Sequence, residues 1–549
     1  MKYNPVPRPD RTVIVKNNGY QYVYLTQCVK YSPRLKRSVP SRVSIGKLDE
    51  NGMLIPNKKY FELFPDSNGL DELGDRADFI SIGPHLVVDK ISNQLSLYSL
   101  LETVFHDKAD KILDIATYMI MSENNVMQYF DDYGYGHSLF NKANFTDSTI
   151  GKLLGSLTVC QMDLFIRSWV TMQNKDGIYV SYDSSNMNTV AGSLTLAEYG
   201  HAKDNTDLPQ VNLSIGYNQT DKVPMFYEIY PGSIIDNTEC QKMVERAKSY
   251  GCKDVGFILD RGYFSIENIK YFEKYDYDYI LMTKGNAAFI TKSIEESVAL
   301  LKEGYQYYME DYELYGKTIE KELFHTGKKQ YIHIYYDGIA AEREKIIINQ
   351  RFHKLDQQLE EKKNQIIKRQ EDVAGYKKYY RLKFDENGYF QSYKRKDKEI
   401  KELINRAGFF AIITSRKMSA SQALEIYRDR DAIEKVFRME KTYLGNDVFR
   451  VHLDEHLESK VFISFIALII RNEIYKSLKP LYKKNKKEYT VPKVLREYEK
   501  LGVTKLSDKK YHIRYKLTNK QKNILKQIGI NEKEYIEFAR EVIKPLDKN

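Results

Sequence analysis

The stretch "GIYVSYDSSN" (177–186) alternates apolar and polar side chains, and this alternation decides how the centre of the sequence is interpreted. Ile178, Val180 and Tyr182 fall on one side of the run, and Asp183 falls on the other side. Strict alternation over such a length is typical of a β-strand with one buried face. The sequence therefore predicts a strand that directs the carboxylate of Asp183 away from these three side chains.

Six further elements follow this strand in a fixed order. Short apolar runs predict strands, and a periodic pattern with capping residues predicts helices. The predicted strands are 211–218, 223–230, 255–262 and 277–284, and the predicted helices are 236–251 and 265–275. Three antiparallel strands followed by α/β crossovers are the order of a ribonuclease-H-like core. We therefore predict an α/β fold with a mixed five-stranded sheet and helices around it.

The remaining sequence predicts an interruption of this core and regions that flank it. A buried strand, "GFFAIITS" (408–415), returns only after a long charged helical segment and a hairpin, which predicts an insertion domain. The predicted organisation is a basic β-rich N-terminal region at 1–95, a helical DNA-binding or linker region at 96–172, the first part of the catalytic core at 173–287, the insertion domain at 288–407, the second part of the core at 408–475 and a basic helical C-terminal region at 476–549.

Charge is distributed unevenly along the chain. Residues 1–60 carry 12 basic and 3 acidic side chains, and residues 476–549 carry 21 and 9, whereas the whole chain has a net charge of +10. The centre therefore carries a net charge of −11. Basic ends favour a polyanion such as nucleic acid, and an acidic centre favours a carboxylate site for divalent metal. Ordinary surface solubility accounts for the charge pattern equally well when that pattern is taken alone.

Membrane and disulfide signals are weak in this sequence. The start, "MKYNPVPRPDRTVIV", lacks the apolar core of a signal peptide. The longest apolar stretch, "VFISFIALII" (461–470), has about half the length that a bilayer requires and is predicted as a buried helix. The four cysteines form no CxxC pair. We expect a cytoplasmic protein with free thiols and no membrane partner.

The stretch "EIYRDRDAIEKVFRMEK" (425–441) is predicted as one helix that carries a row of mainly charged side chains. At about 100° per residue, five side chains fall within an arc of roughly 80°. They belong to Tyr427, Arg430, Glu434, Arg438 and Lys441. Ile433, Val436 and Met439 fall towards the other side, where they can pack against a sheet. A solvated face with charge pairs between successive turns is the ordinary explanation of such a row.

Three carboxylates on the predicted core elements suggest a chemical explanation instead. Asp183 lies on the first strand, Asp260 ends the fourth strand, and Glu434 lies in the middle of the row. Either aspartate alone is more often a turn or cap residue. Three carboxylates on adjacent elements, however, can hold two Mg²⁺ ions for attack at a phosphodiester. We therefore predict all three as catalytic residues and metal ligands, with Mn²⁺ as a substitute ion.

The basic and hydroxyl groups beside these carboxylates are predicted to contact DNA. Such side chains hold phosphates and position double-stranded DNA against the metal ions. The predicted contacts are Tyr427, Arg430, Arg438, Lys441 and Arg261, which follows Asp260.

The spacing within the row resembles a family signature. The pattern Y-x2-R-x3-E-x6-K is fitted at every position by Tyr427, Arg430, Glu434 and Lys441. In this respect the sequence resembles the DDE transposases of bacterial insertion sequences, in the insertion-sequence-four superfamily. "YVSYDSSN" and "FILDRGYFS" resemble the family segments that carry its two aspartates, here Asp183 and Asp260. The N-terminal segment resembles the branch named after insertion sequence sixteen-thirty-four.

The resemblance implies cut-and-paste DNA transposition. It implies binding of terminal inverted repeats, strand cleavage, a hairpin intermediate in several family members, and strand transfer to target DNA. It also implies a homodimer in the synaptic complex, and a bacterial protein of the cytoplasm that joins the nucleoid when it binds DNA. Two alternatives are a metal-dependent nuclease of the same fold without strand transfer and an inactive DNA-binding relative.

A separate pattern, "HLDEH" (452–456), has the H-x-x-E-H spacing of zinc enzymes, but it is interpreted as the polar start of a helix.

Overall fold

The structure is a computed structural model of the 549-residue chain, and it divides into two compact units. The first unit comprises Met1–Phe79 and Thr504–His512, and the second comprises Ile80–Val503 and Ile513–Asn549. The residues that the structure describes are 5–17, 19–32, 36–64, 78–173, 178–200, 207–234, 236–252, 255–284, 287–324, 327–363, 375–387, 389–506 and 509–547. The six regions predicted from the sequence are not separated by this division and stay a prediction.

The N-terminal unit is a small antiparallel sheet with one helix. Its elements are β1 (Thr12–Asn17), β2 (Tyr20–Ser32), β3 (Arg37–Leu48), β4 (Leu54–Pro56) and α1 (Lys58–Leu63), with the strands in the order β1-β2-β3-β4. The alternating pattern of the sequence places Val23, Ile45, Leu54 and Tyr60 in a common core. β2 pairs antiparallel with β1 and with β3.

A helical layer follows the short strand β5 (Phe79–Ser81). Its helices are α2 (Gly83–Gln94), α3 (Leu97–Phe105), α4 (Ala109–Ser122), α5 (Phe130–Tyr135), α6 (Asp147–Leu154) and α7 (Val159–Gln173). The single tryptophan, Trp169, is fully buried and donates from its indole N–H to the Pro224 carbonyl at 2.9 Å. This helix-rich segment was expected from its apolar periodicity.

The central strands and helices occur in the predicted order. They are β6 (Tyr179–Thr189), β7 (Gln210–Asn218), β8 (Val223–Pro231), α8 (Asp236–Ser249), β9 (Gly256–Leu259), α9 (Ile266–Lys274) and β10 (Asp278–Met282). β6, β7 and β8 pair antiparallel, while β9 is parallel to both β6 and β10. The strand order β8-β7-β6-β9-β10 confirms the predicted mixed arrangement.

The prediction of a five-stranded sheet is wrong, because the hydrogen bonding continues past β10. The additional elements are α10 (Ala288–Glu295), α11 (Val298–Glu303), β11 (Tyr308–Met309), β12 (Leu314–Lys321), β13 (Gln330–Tyr336) and β16 (Phe409–Thr414). β16 pairs with β10 on one side and with β13 on the other, which extends the sheet to ten strands together with the short β17 (Val448–Phe449) beside β6. Much of the predicted insertion thus covers a sheet edge that would otherwise be unpaired.

The rest of the predicted insertion forms a separate small core. It contains α12 (Gly338–Glu361), the hairpin β14 (Tyr380–Phe384) and β15 (Phe390–Arg395), and α13 (Asp397–Asn405). Phe352 and Leu359 of α12 are buried together with Tyr379, Tyr380 and Phe390 of the hairpin region. The charged helix and the hairpin predicted from the sequence are both present.

The C-terminal part contains a long buried helix. Its elements are α14 (Ala420–Arg428), α15 (Asp431–Arg438), α16 (Asp454–Lys484), α17 (Val491–Glu499), β18 (Gly502–Lys505), β19 (Tyr511–Ile513), α18 (Asn519–Gln527) and α19 (Glu532–Leu546). The apolar stretch 461–470 lies within α16 and is buried along its whole length, as predicted. Within the described ranges no single helix is long and apolar enough to cross a membrane, and one bent pair, α6 with α7, meets the length and composition criteria jointly. All four cysteines are free thiols.

Candidate active site

The first two carboxylates are set side by side by the register of two parallel strands. Tyr182 of β6 is paired with Leu259 of β9. Asp183 and Asp260 are the residues that directly follow this pair in the two segments of the chain. Parallel neighbours at the same register direct their side chains to the same face of a sheet. The alternation that was read from "GIYVSYDSSN" therefore places both carboxylates at one point on the sheet surface.

Asp260 is held at the junction between strand and turn. Its carboxylate Oδ1 accepts from the Arg261 backbone N–H at 2.6 Å and from the Tyr427 hydroxyl at 3.3 Å. The Arg261 side chain is exposed. Tyr427 is only 9% exposed, and its ring packs against Leu424 and neighbouring apolar side chains. Tyr427 thus contacts a carboxylate of the site, whereas its predicted role as a phosphate contact stays a prediction.

The segment 425–441 is not the single helix that was predicted. α14 ends at Arg428 and α15 begins at Asp431, and the Arg430 N–H bonds to the Tyr427 carbonyl three residues earlier. The side chain of Gln219, which follows β7, fits into this break. Its amide nitrogen donates to the Ile426 carbonyl at 3.2 Å, and its oxygen accepts from the Arg430 N–H at 2.9 Å. A partner from the sheet therefore satisfies backbone groups that a continuous helix would pair internally.

The break places the Arg430 guanidinium among all three predicted carboxylates. Nη1 donates to Asp183 Oδ2 at 3.1 Å. Nη2 donates to Glu434 Oε1 at 3.1 Å and lies 3.8 Å from Asp260 Oδ2. Because each carboxylate lies within ion-pair distance of one planar group, the three side chains meet in space, as the sequence analysis requires.

The site is closed on the side of the arginine and open on the side of Glu434. The Arg430 side chain is 11% exposed, Asp183 is 19% exposed, and Glu434 is 57% exposed. Burial alone would lower the pKa of Arg430, but Tyr427 and the three carboxylates raise it above its ordinary value. Burial, together with the charge of Asp260, raises the pKa of Tyr427. Tyr427 therefore stays a neutral hydroxyl that donates to the site.

The donor set has the chemistry of a divalent metal site, although a guanidinium now lies within it. One guanidinium neutralises one of three carboxylates, so the cluster keeps a formal charge of −2. Hard divalent cations prefer such carboxylate oxygens. Among the residues placed by the structure, no three His, Cys, Asp or Glu side chains are arranged to hold a metal ion as they stand. The residues therefore fit a divalent cation by charge and ligand type, while the Arg430 guanidinium lies within ion-pair distance of all three carboxylates.

The last two members of the predicted row lie further along the chain. Ile433 and Val436 of α15 are buried, as predicted, and Arg438 is exposed at the end of this helix. Lys441 lies in a π-helical turn, Met439–Tyr443, and is half-buried. The roles of Arg438, Lys441 and Arg261 in DNA binding stay predictions.

Two polar residues near the site were missed by the sequence analysis. Gln219 supports the helix break from a turn after β7, and a single glutamine in a turn gives no pattern that would reveal this contact. Glu440, in the π-helical turn, is buried and accepts from Asn446 (2.8 Å) and Ser464 (2.7 Å). Burial raises the pKa of Glu440 to about 7. A glutamate between Met439 and Lys441 in an amphipathic segment would ordinarily be taken for a surface residue.

The zinc-like pattern at 452–456 does not form a metal site in the described part of the chain. His452 is exposed, and its carbonyl accepts from Ser193. Asp454 begins α16. The pattern is the polar start of a helix, in agreement with the prediction.

Comparison with known proteins finds a matching family and several solved chains of similar fold. The family described as a transposase DDE domain matches residues 179–470, just over half of the chain. The matched range contains Asp183, Asp260, Arg430 and Glu434. A piggyBac transposase, in the cryo-EM structure of its synaptic complex with hairpin DNA, is 10% identical with a TM-score of 0.35, over 84% of this chain and 82% of that chain. This likeness is too weak to transfer any feature. No curated protein matches the sequence.

Proposed function

Because the chain belongs to the transposase DDE domain family, we propose that it cleaves DNA at the ends of its own insertion sequence and joins them to target DNA. The observation that carries this proposal is the meeting of Asp183, Asp260 and Glu434 around one guanidinium. Terminal inverted repeats are the proposed DNA substrate, and a homodimer is the proposed form that holds two ends together. We propose that the reaction takes place in the cytoplasm.

The three carboxylates are the proposed ligands of two Mg²⁺ ions. When bound, such ions supply an activated attacking oxygen and stabilise the leaving oxygen at the phosphodiester. Asp183 and Asp260 are fixed by the register of β6 and β9. Glu434 is carried by a separate helix and is the most exposed of the three, so it is the ligand whose position adjusts most readily.

The neighbouring side chains prepare these carboxylates. The Tyr427 hydroxyl donates to Asp260 and fixes its orientation, leaving Oδ2 directed towards the cluster. Arg430 holds the three carboxylates close together against their mutual repulsion. Once displaced from the cluster, its guanidinium is available to a DNA phosphate, which reconciles its present position with its predicted contact.

The test uses the purified full chain and duplex DNA that carries candidate terminal repeats from beside its gene. We expect Mg²⁺-dependent nicking and, after addition of target DNA, joined products on a denaturing gel. Asp183→Asn, Asp260→Asn and Glu434→Gln should each abolish both products while duplex binding persists. Glu425→Gln, at an exposed position on α14, is the matched control and should retain activity.

Two results would overturn parts of this proposal. Nicking without joining under all conditions would indicate a nuclease of the same fold. Full joining by Glu434→Gln would show that the site has been assigned to the wrong residues.

A further inference from the structure

A basic groove lies beside α15, on the residues that follow the proposed active site. It consists of two adjoining cavities of about 250 and 330 Å³, which share Lys435, Met439, Tyr475 and Lys479. Lys435 directly follows Glu434 in the chain. The groove is therefore continuous with the helix that carries the third carboxylate.

The first cavity is lined by basic side chains, tyrosines and apolar side chains, and no acidic residue belongs to its lining. Its polar lining consists mainly of Lys435, Arg438, Arg471, Lys479, Tyr443, Tyr475, Tyr482 and Tyr489. Arg471 has a structural role, since it pairs with Glu123 at 2.6 Å and lies over the Tyr443 ring. Lys435, Arg438 and Lys479 have no carboxylate within 4 Å in the described ranges, so their charges remain available.

Three distant segments bring like charges together at this groove. Lys222 comes from the turn before β8, Lys435 from α15 and Lys479 from α16. Burial, and then repulsion by the surrounding lysines, lowers the pKa of Lys479. Such convergence is unfavourable in the free protein and becomes favourable when an anion lies between the charges. The second cavity also has Asp429 and Asp431 in its wall, whereas the first cavity has basic side chains and no acidic ones.

The tyrosines supply hydrogen-bond donors along the same cavity. Tyr482 is 39% exposed, and Tyr489 is half-buried in the opposite wall. Tyrosine hydroxyls and lysine ammonium groups are frequent donors to phosphate oxygens in complexes with DNA. A row of such donors suits a chain of phosphates better than a single anion.

We propose that this groove binds the phosphodiester backbone of the DNA substrate beside the three carboxylates, with Lys435, Arg438 and Lys479 on its phosphates. The inference rests on the proposed function, because it assigns a holding surface to the same DNA. It concerns Lys435 and Lys479, which lie outside the Y-x2-R-x3-E-x6-K signature. The tyrosine hydroxyls of the first cavity donate to the same backbone.

The experiment measures binding of the full chain to a fluorescent duplex of unrelated sequence at several KCl concentrations. Each lost phosphate contact reduces the slope of log K against log salt by about 0.9. We expect Lys479→Gln and Lys435→Gln each to reduce the slope by about this amount, and Lys479→Arg to retain it. Lys476→Gln is the matched control on the same helix, because the Lys476 charge is already paired with Glu473 at 2.8 Å.

The thermal midpoint of each variant separates loss of contact from loss of folding. Removal of one repelling charge should leave the midpoint of Lys479→Gln equal to that of the parent or above it. An unchanged salt slope in both Gln variants would overturn the inference, even if the parent cleaves and joins DNA. Failure of the parent to cleave terminal-repeat DNA would instead count against the proposed function, with the slopes still reporting on the groove.

Discussion

The Arg430 guanidinium donates to Asp183 Oδ2 at 3.1 Å, although 247 residues separate the two in the chain. The same group reaches Asp260 and Glu434, so it supplies the positive charge that three neighbouring carboxylates require. A divalent cation would satisfy the same requirement. On the proposed function, arginine and metal compete for one position.

Replacement of Arg430 by Gln should make the stability of the chain depend on divalent metal. Without the guanidinium, the carboxylates repel one another, and we expect a loss of about 1–3 kcal/mol in the free energy of unfolding. Addition of Mg²⁺ or Mn²⁺ should recover this loss and raise the thermal midpoint of the variant more than that of the parent. Equal metal responses in the two proteins would contradict the competition.

The Tyr427→Phe variant separates two roles of this tyrosine. It removes the hydroxyl bonded to Asp260 and keeps the buried ring, so the stability should change by less than about 1.5 kcal/mol. Loss of one orienting hydrogen bond of about 1 kcal/mol should slow DNA cleavage roughly fivefold. The affinity for duplex DNA should be unaffected. A weaker affinity would show instead that Tyr427 contacts a phosphate, as the sequence analysis predicted.

Gln219→Ala tests the support of the helix break. The variant leaves the Ile426 carbonyl and the Arg430 N–H without their side-chain partner. We expect a loss of about 1–2 kcal/mol in stability and faster hydrogen exchange of the Arg430 amide. The rate of DNA cleavage should decrease by more than the loss of folded protein explains, because Arg430 and Glu434 are no longer held in position. Unchanged exchange at Arg430 would show that the break persists without Gln219.

Glu440→Gln should change how stability varies with pH. The pKa of Glu440 is about 7 in the folded chain against an ordinary value of 4.5, so the folded chain binds more protons between these values. Stability therefore decreases as pH rises through this window and stays lower above it. The variant cannot ionise and should gain up to about 3 kcal/mol over the parent above this window. The difference in thermal midpoint between Glu440→Gln and the parent should become smaller as the pH decreases.

The control for this measurement is Glu425→Gln, at an exposed position. Its difference from the parent should be small at every pH. A pH-independent difference for Glu440→Gln would mean that Glu440 is ionised in the folded chain.

Local patterns predicted the strands of the core well, because alternation and short apolar runs depend on neighbouring residues. The proximity of Asp183 and Asp260 depends on the register of β6 with β9, which the local patterns did not specify. The division of 425–441 into two helices could not be predicted, because "YRDRDA" is compatible with a helix and Gln219 enters the break from another part of the chain. The ten-stranded sheet was missed for a similar reason, since a strand pattern does not reveal its pairing partner.

The late position of residues 425–441 in the sequence has a consequence for synthesis of the protein on the ribosome. Tyr427 follows Asp260 by 167 residues, and Arg430 and Glu434 come later still. Domains form from the N-terminal side during translation, so the two aspartates emerge long before their counter-charge. A nascent chain that stops before this segment carries two unbalanced acidic groups and lacks the third carboxylate. Premature termination or a frameshift upstream would therefore yield a product without the complete proposed site.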